Sequence, residues 1–239
     1  MTDSVAQQAC SRSPLLRADL HNHTRHSPDS SISLDDIVRA CRLRGVTCLA
    51  VTDHNEISGA LELASRAPAG LKIIVGEEVK SSVGEIIGYF FDDKLPTAPI
   101  PRGLSPRETA DAIHELDGVV AIPHPFDRFR SSRLRAEALD EIVDEVDVIE
   151  VYNARIHLPA DRDKAADFAR HHDLPISAGS DAHTEGEIGN ACVDMADFHD
   201  RSSFLASLRA GRIVGRQASP LVHLGSRWSR LLRGNSEGA

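Results

Sequence analysis

The stretch LRADLHNH, residues 16–23, decides the reading of the chain: a short, mostly apolar run ending in two histidines spaced two apart. In extended backbone, side chains at i and i+2 face the same way, so His21 and His23 converge on one point. Near the other end, LPISAGSDAH (174–183) repeats the device with Asp181 and His183. Between them, TCLAVTDH (47–54) ends in His54, LKIIVGEEV (71–79) carries Glu77 and Glu78, and GVVAIPHP (118–125) reaches His124. Any one of these endings is ordinary surface sequence. Five predicted strands finishing in metal-competent side chains are not.

The segments between the strands have helical signatures. SLDDIVRACRLRG (33–45) predicts a helix with Ser33 as N-cap, acids in the first turn and Gly45 as its stop. EISGALELASRA (56–67), SPRETADAIHELDG (105–118), RLRAEALDEIVDEV (133–146) and LPADRDKAADFARHHD (158–173) read as further helices. Ser105 and Glu108 open the second of these with a capping box. GEIIGYFF (84–91) is a strand that a short Ser-Val-Gly turn joins to its predecessor, which suits antiparallel pairing. VDVIEVYN (146–153) is another strand, and ACVDMADF (191–198), a helix from about Asp200 to Arg209 and GRIVGR (211–216) close the domain.

Strands alternating with helices imply parallel βαβ units. An open doubly wound sheet gathers residues at one switch point, whereas an α/β barrel collects the carboxyl ends of all its strands around one site. Five functional strand ends therefore favour the barrel.

With 239 residues the chain can bury one sizeable core. A formal net charge of -9 argues against long nucleic acid, which is bound through basic stripes, and leaves room for a short oligonucleotide. It also admits small anions, because bound metals reverse the local sign. Cys10, Cys41, Cys48 and Cys192 form no C-x-x-C pair and read as reduced, mostly buried thiols. Residues 1–14 read as a disordered leader without a signal-peptide apolar region, residues 15–225 as the barrel and residues 226–239 as a basic, then polar tail. No stretch reaches the length of a membrane span, so a cytoplasmic protein without membrane contact is expected. Nothing in the sequence sets the oligomeric state.

Histidines with carboxylates and no nearby thiolate suit Zn, Mn or Fe. Eight or nine donors exceed the needs of one ion, so two or three divalent ions sharing carboxylates are expected. Arg128 and Arg130 follow His124 and Arg155 follows Asn153 on the same edge, making them candidate phosphate contacts, with Asn153 beside them. His54 and Asp181 are candidates for the chemical step itself. Asp53 is placed to orient a ligand imidazole, Ser180 reads as a strand-end residue, and Phe126 as a core residue or a base-stacking one.

DLHNHTRHSPDS, VTDH, VGEEV, GYF, AIPHP, IEVYN and SAGSDAH, in this order and spacing, resemble the polymerase and histidinol phosphatase (PHP) family over about residues 18–190. The resemblance implies a distorted seven-stranded (β/α) barrel, TIM-like in plan, with a di- or trinuclear metal site that hydrolyses phosphate esters. Carried over residue by residue, it makes His21, His23, Asp29, His54, Glu78, His124, Asp181 and His183 the ligands. The G-x-E pattern selects Glu78 over Glu77, whose side chain then faces away, and the SPD turn selects Asp29 over His26. Family members with a complete trinuclear site have a further histidine after the strand matching VIEVYN. His157 is the candidate here, with Asn153 its rival, and without His157 the site is dinuclear.

The expected function is hydrolysis of a small phosphomonoester (a nucleotide, sugar or amino-alcohol phosphate) by a metal-activated hydroxide. The alternatives are a phosphodiesterase or exonuclease acting on short oligonucleotides or nucleotide bisphosphates, and a non-catalytic metal-binding regulatory barrel.

Overall fold

Ser33 and Gly45 set the limits of α1 (Leu34–Arg44). Ser33 Oγ accepts from Asp36 N, and Gly45 takes the left-handed φ of +68° that ends the helix. The capping box at α3 (Pro106–Glu115) forms likewise, with Ser105 and Glu108 satisfying each other's backbone. The remaining helices are α2 (Ser58–Arg66), α4 (Ala136–Glu141), α5 (Pro159–His171) and α6 (Arg201–Ala210). The strands are β1 (Leu16–Asp19), β2 (Cys48–Val51), β3 (Lys72–Ser81), β4 (Gly84–Phe90), β5 (Val119–Ile122), β6 (Val148–Asn153), β7 (Ile176–Gly179), β8 (Ala191–Met195) and β9 (Arg212–Gly215).

These elements come from a computed structural model that describes residues 14–91 and 94–217. The expected leader (apart from Pro14), Cys10, the tail, and residues 92–93 of the Pro-rich loop DDKLPTAPIPRGLSP (92–106) that joins β4 to α3 lie outside the described residues. Only α4 falls well short of its predicted length. After Glu141 the chain enters a 3-10 turn, Val143–Glu145, before β6. The β-branched pair Ile142-Val143 weakens the helix where the chain must turn into the sheet.

The nine strands lie in the order β7-β6-β5-β4-β3-β2-β1-β8-β9. Pairings β1–β2, β2–β3, β5–β6 and β6–β7 are parallel, while β4 runs antiparallel to both β3 and β5. The tight turn between β3 and β4 allows no crossover, so reversal is the only pairing open to it. The sheet then curls into a nearly closed barrel. Past β1 and β7 the two segments stay joined: Asp181 N donates to His21 O at 2.7 Å, His23 N to Ala182 O at 3.0 Å, and Asn22 bridges Ala182 in parallel. At the opposite end of β1, β8 pairs antiparallel through Leu16, Arg17 and Ala18, and β9 pairs with β8. The ring is thus distorted, shut at the carboxyl ends of its strands and wedged apart below.

Gly179 makes this seam possible. A Cβ there would sit 2.2 Å from His21 Cβ and 2.8 Å from His21 N, closer than any real side chain approaches. Strand residues alternate between two apolar layers. Ala18, Leu20, Ala50, Ile74, Ile87, Tyr89, Ala121, Val148 and Ala178 fill the barrel, while Leu49, Val51, Val75, Ile86, Val120 and Ile149 face the helices. Tyr89 donates its hydroxyl to Leu20 O at 2.8 Å, so the inner layer ends in a satisfied floor beneath the functional edge. Cys41, Cys48 and Cys192 are buried free thiols. Among the described residues no helix is long and apolar enough to cross a membrane.

Candidate metal centre

Glu78 stands at the middle of the functional edge, fully buried on β3 with the inward parity of Ile74. Its Oε2 lies 3.1 Å from His54 Nδ1, 3.3 Å from His21 Nε2 and 3.4 Å from His23 Nε2, and its Oε1 lies 3.1 Å from His124 Nε2. Asp181 Oδ1 lies 3.4 Å from His23 Nε2. Asp29 Oδ2 lies 3.2 Å from His183 Nε2 and 3.5 Å from His54 Nε2. The donors fall into four overlapping groups: His23, Asp29, His54 and His183; His21, Glu78 and His124; His21, His23 and Asp181; and His54, Glu78 and Glu85.

The residues fit divalent cations. Among the described residues His23 Nε2, Asp181 Oδ1 and Glu85 Oε2 are buried polar atoms without a hydrogen-bond partner, and all three residues belong to these groups. Leaving such atoms unpaired costs about 1–3 kcal/mol each, more for charged ones, and a shared cation removes the cost. The donors are imidazole nitrogens and carboxylate oxygens, a set that suits Zn, Mn or Fe.

Electrostatics draws the same picture. Burial pushes the His23 imidazole down to about 3, helped by His183 and His54. Burial opposes the charge on His54 too, but Glu78 and Asp29 raise it to about 9. Burial works against the Asp181 carboxylate, yet Arg130 and His21 hold it well below the ordinary range. His124 and Asp181 adopt φ of +36° and +53°, sparsely populated for residues with a Cβ, so the surroundings must enforce both conformations.

Glu150 does much of that enforcing. One of its oxygens lies 3.0 Å from His21 Nδ1, and the other accepts from His124 N at 2.8 Å and Asn153 Nδ2 at 3.0 Å. Sequence reasoning missed it, and missed Glu85 too. The available signal was an acid at an inward-facing position of an apolar strand, in IEVYN and in GEIIGYF. Asp19, also overlooked, accepts from Ser180 N, Ser180 Oγ and Gly189 N, which places Ser180 as a structural strand-end residue.

Eight expected donors meet at the edge; His157 does not join them. Gln217 Nε2 lies 2.9 Å from its Nδ1, and His157 stands at the rim of the cleft, while Asn153 occupies the interior place, 3.2 Å from Asp181 Oδ2. His26 also stays outside, with Nδ1 2.9 Å from Ser58 Oγ. Glu77 faces away, accepting from Ile100 N at 3.0 Å. Asp53 corrects the sequence reading: its carboxylate accepts from Thr24 N and Thr24 Oγ1, each at 2.6 Å, and so anchors the first loop rather than a ligand imidazole. Phe126 packs against Phe168 at 5.8 Å between centroids, a core role.

The arginines divide. Arg128 is paired with Asp161 of α5 at 2.7 Å, and Arg155, which lines the cleft, is buried against Glu187 with Nε–Oε1 at 2.8 Å. Glu187 also accepts from His183 N and Thr184 N, tying Arg155 to the loop that carries His183. Arg130 alone reaches the centre, donating to Asp181 Oδ2. Above the donors opens a cleft of about 810 Å³ whose walls include Asp29, His54, Glu85, Arg130 and His183. His54 is the most open of the histidine donors, with 17% of its side chain exposed against 0–3% for His21, His23, His124 and His183.

Known proteins share this architecture. The chain matches the family model described as PHP domain over residues 19–109 and the one described as PHP-associated over residues 159–213. It is 35% identical to an uncharacterized protein of Methanocaldococcus jannaschii over 58% of this chain and 82% of the relative. Its fold resembles PsfC from Pseudomonas syringae, with a TM-score of 0.68 at 18% identity, covering 92% of this chain and 100% of that one. It also resembles a lesion-specific endonuclease from Pyrococcus furiosus, with a TM-score of 0.62 at 18% identity, covering 86% of this chain and 60% of that one.

Proposed function

Because this chain belongs to the PHP family, we propose that it is a metal-dependent phosphoesterase whose substrates are small phosphomonoesters. One observation carries the reading: eight donors, from five strand ends and the first loop, gather with Glu78 at their middle and open into a cleft. His21, His23, Asp29, His54, Glu78, His124, Asp181 and His183 would hold two or three divalent ions, with Glu85 as a further donor. Bound there, the ions supply Lewis acidity, bringing a water toward ionisation near neutral pH and offsetting charge on phosphate oxygens.

The protein's own groups do the rest. Arg130, whose side chain is 16% exposed and lines the cleft, presents donors to an incoming phosphate while neutralising Asp181. Asp181 in turn is kept ionised by Arg130 and His21, so it remains an anionic oxygen donor across the working pH range. His54, the most exposed of the histidine donors, stands between Glu78 and Asp29 where the cleft opens, the side from which a substrate enters. Pro28, Ser131 and Ser132 line the walls beside it.

A second reading has one observation in its favour. Phe129 lines the same cleft with 76% of its surface exposed, a platform on which the base of a nucleotide or short oligonucleotide could stack. The resemblance to an endonuclease fold is in keeping with it. Manganese-loaded protein, metal-quantified, should hydrolyse p-nitrophenyl phosphate in preference to bis(p-nitrophenyl) phosphate. Glu78→Ala should lose both metal and turnover. Preference for the diester would move the assignment to the second reading; turnover of neither by metal-replete protein would remove the enzyme reading altogether.

A further inference from the structure

Among the described residues four Lys and Arg side chains line the cleft, and two of them are spoken for: Arg130 pairs with Asp181 and Arg155 with Glu187. Lys80 and Arg102 line the cleft, are exposed, and form no ion pair among the described residues. An unpaired surface cation is commonplace, but these two are held together and aimed by the fold.

Lys80 lies on β3 two residues beyond Glu78 and shares its inward parity, roughly 6–7 Å further along the strand. Directly opposite on β4 is Glu85, whose carboxylate is turned away toward His54 and His124, 3.8 Å from each. Lys80 therefore has an acid across from it in register and no acid bound to it. Arg102 arrives from the Pro-rich loop. Gly103 N donates to Lys80 O at 2.8 Å and Ser82 N to Leu104 O at 2.7 Å, which lays residues 102–104 along the end of β3. Glu77, facing out, accepts from Ile100 N at 3.0 Å and pins the same loop. Adjacent glutamates thus divide the labour: Glu78 enters the donor cluster and Glu77 fixes the segment that carries Arg102.

We propose that Lys80 and Arg102 form a second anion subsite, and that the substrate carries a second anionic group, phosphate or carboxylate, one side-chain reach from the phosphate seated at Arg130. The inference rests on the phosphoesterase reading for the identity of the first group alone. The recognition is Coulombic and made at an exposed site, so it weakens as salt rises and the Debye length falls below about 8 Å.

The test is equilibrium binding by calorimetry on manganese-loaded, full-length protein, which does not require turnover. The probes are α,ω-alkanediol bisphosphates of three to six carbons, the matching diol monophosphates, and the matching ω-phospho-carboxylates. Wild type should bind one length of bisphosphate or phospho-carboxylate at least about tenfold more tightly than its monophosphate, equivalent to about 1.4 kcal/mol. Lys80→Ala/Arg102→Ala should bring that ratio to near one, and Lys80→Arg should retain most of it. Preference for the bisphosphate arm identifies a second phosphate, and preference for the phospho-carboxylate arm a carboxylate. Equal binding of mono- and di-anions by wild type, or a preference that survives in the double variant, overturns the subsite. If the preference is present and no phosphate ester is ever hydrolysed, the hydrolase reading fails and the subsite stands. Turnover without any preference has the reverse meaning.

Discussion

Glu150 is not among the residues that line the cleft, yet it governs the geometry of two donors. Its carboxylate faces His21 Nδ1, which leaves Nε2 directed at Glu78 and Asp181, and it holds the strained backbone of His124 through that residue's N–H. Partners of this kind fix the tautomer and orientation of a ligating imidazole, and removing one costs about 10–100-fold in metal affinity. Glu150→Gln keeps the shape and removes the charge. Its affinity for manganese or zinc, titrated against a chelator of known strength, should fall by about that factor. His157→Ala, which alters only the rim, should stay within about twofold of wild type. Wild-type affinity in Glu150→Gln would remove its positioning role. The contrast explains what the sequence could reveal. His21, His54 and Asp181 were legible because a polar side chain at a strand's end has few other reasons to recur five times. Glu150 and Glu85 lie inside strands, where an acid's meaning depends on which face it takes, and that follows only from the neighbouring pairings.

Between elements, the amino ends of the strands have their own tie. Asp147, just before β6, accepts from Val120 N on β5 at 2.9 Å, lies 2.9 Å from His114 Nε2 at the end of α3, and receives Arg201 from the start of α6. Burial would raise this carboxyl, but His114, Val120 N–H and Arg201 hold it below its ordinary 3.8. A carboxyl depressed in the folded state stabilises above its unfolded value, and that stabilisation is lost as pH falls through the lower folded value. Asp147→Asn should therefore cost about 1–3 kcal/mol at pH 7, read by urea unfolding. Its stability should also decline less steeply than wild type's below about pH 4. Parallel slopes for the two proteins would mean that the network, not the charge, sustains the tie. Helix ends with side-chain caps, at Ser33 and Ser105, were readable because the signal is local. The early end of α4 was not, since it answers to where β6 must begin.

For the molecule as a whole, the ring closes where its donors lie. His21 and His23 stand on one side of the β1–β7 seam, Asp181 and His183 on the other, and the backbone link between the sides is a single parallel bridge with a few hydrogen bonds. A cation held from both sides would fasten that seam. Ligand present at 100 times its dissociation constant stabilises by about 2.7 kcal/mol, or roughly 5–10 °C for a domain of this size. Stripping the protein with a chelator should lower its melting temperature by that much, with re-addition of manganese restoring it. An unchanged melting temperature on verified metal loss would show the barrel indifferent to its centre. That the strands would curl into a barrel was legible in advance from where the polar endings fall. The wedge of β8 and β9 below the seam was not, because it depends on an antiparallel pairing about 175 residues distant along the chain.

The notch at residue 179 has a consequence of a different order. With no room for even a methyl group against His21, that position is closed to drift whatever the enzyme acts upon. The loops bearing Lys80's companion Arg102 and the exposed Phe129 carry no such restriction. Lineages descending from this architecture would accordingly be free to change diet at the rim while inheriting the same bare hinge of backbone underneath.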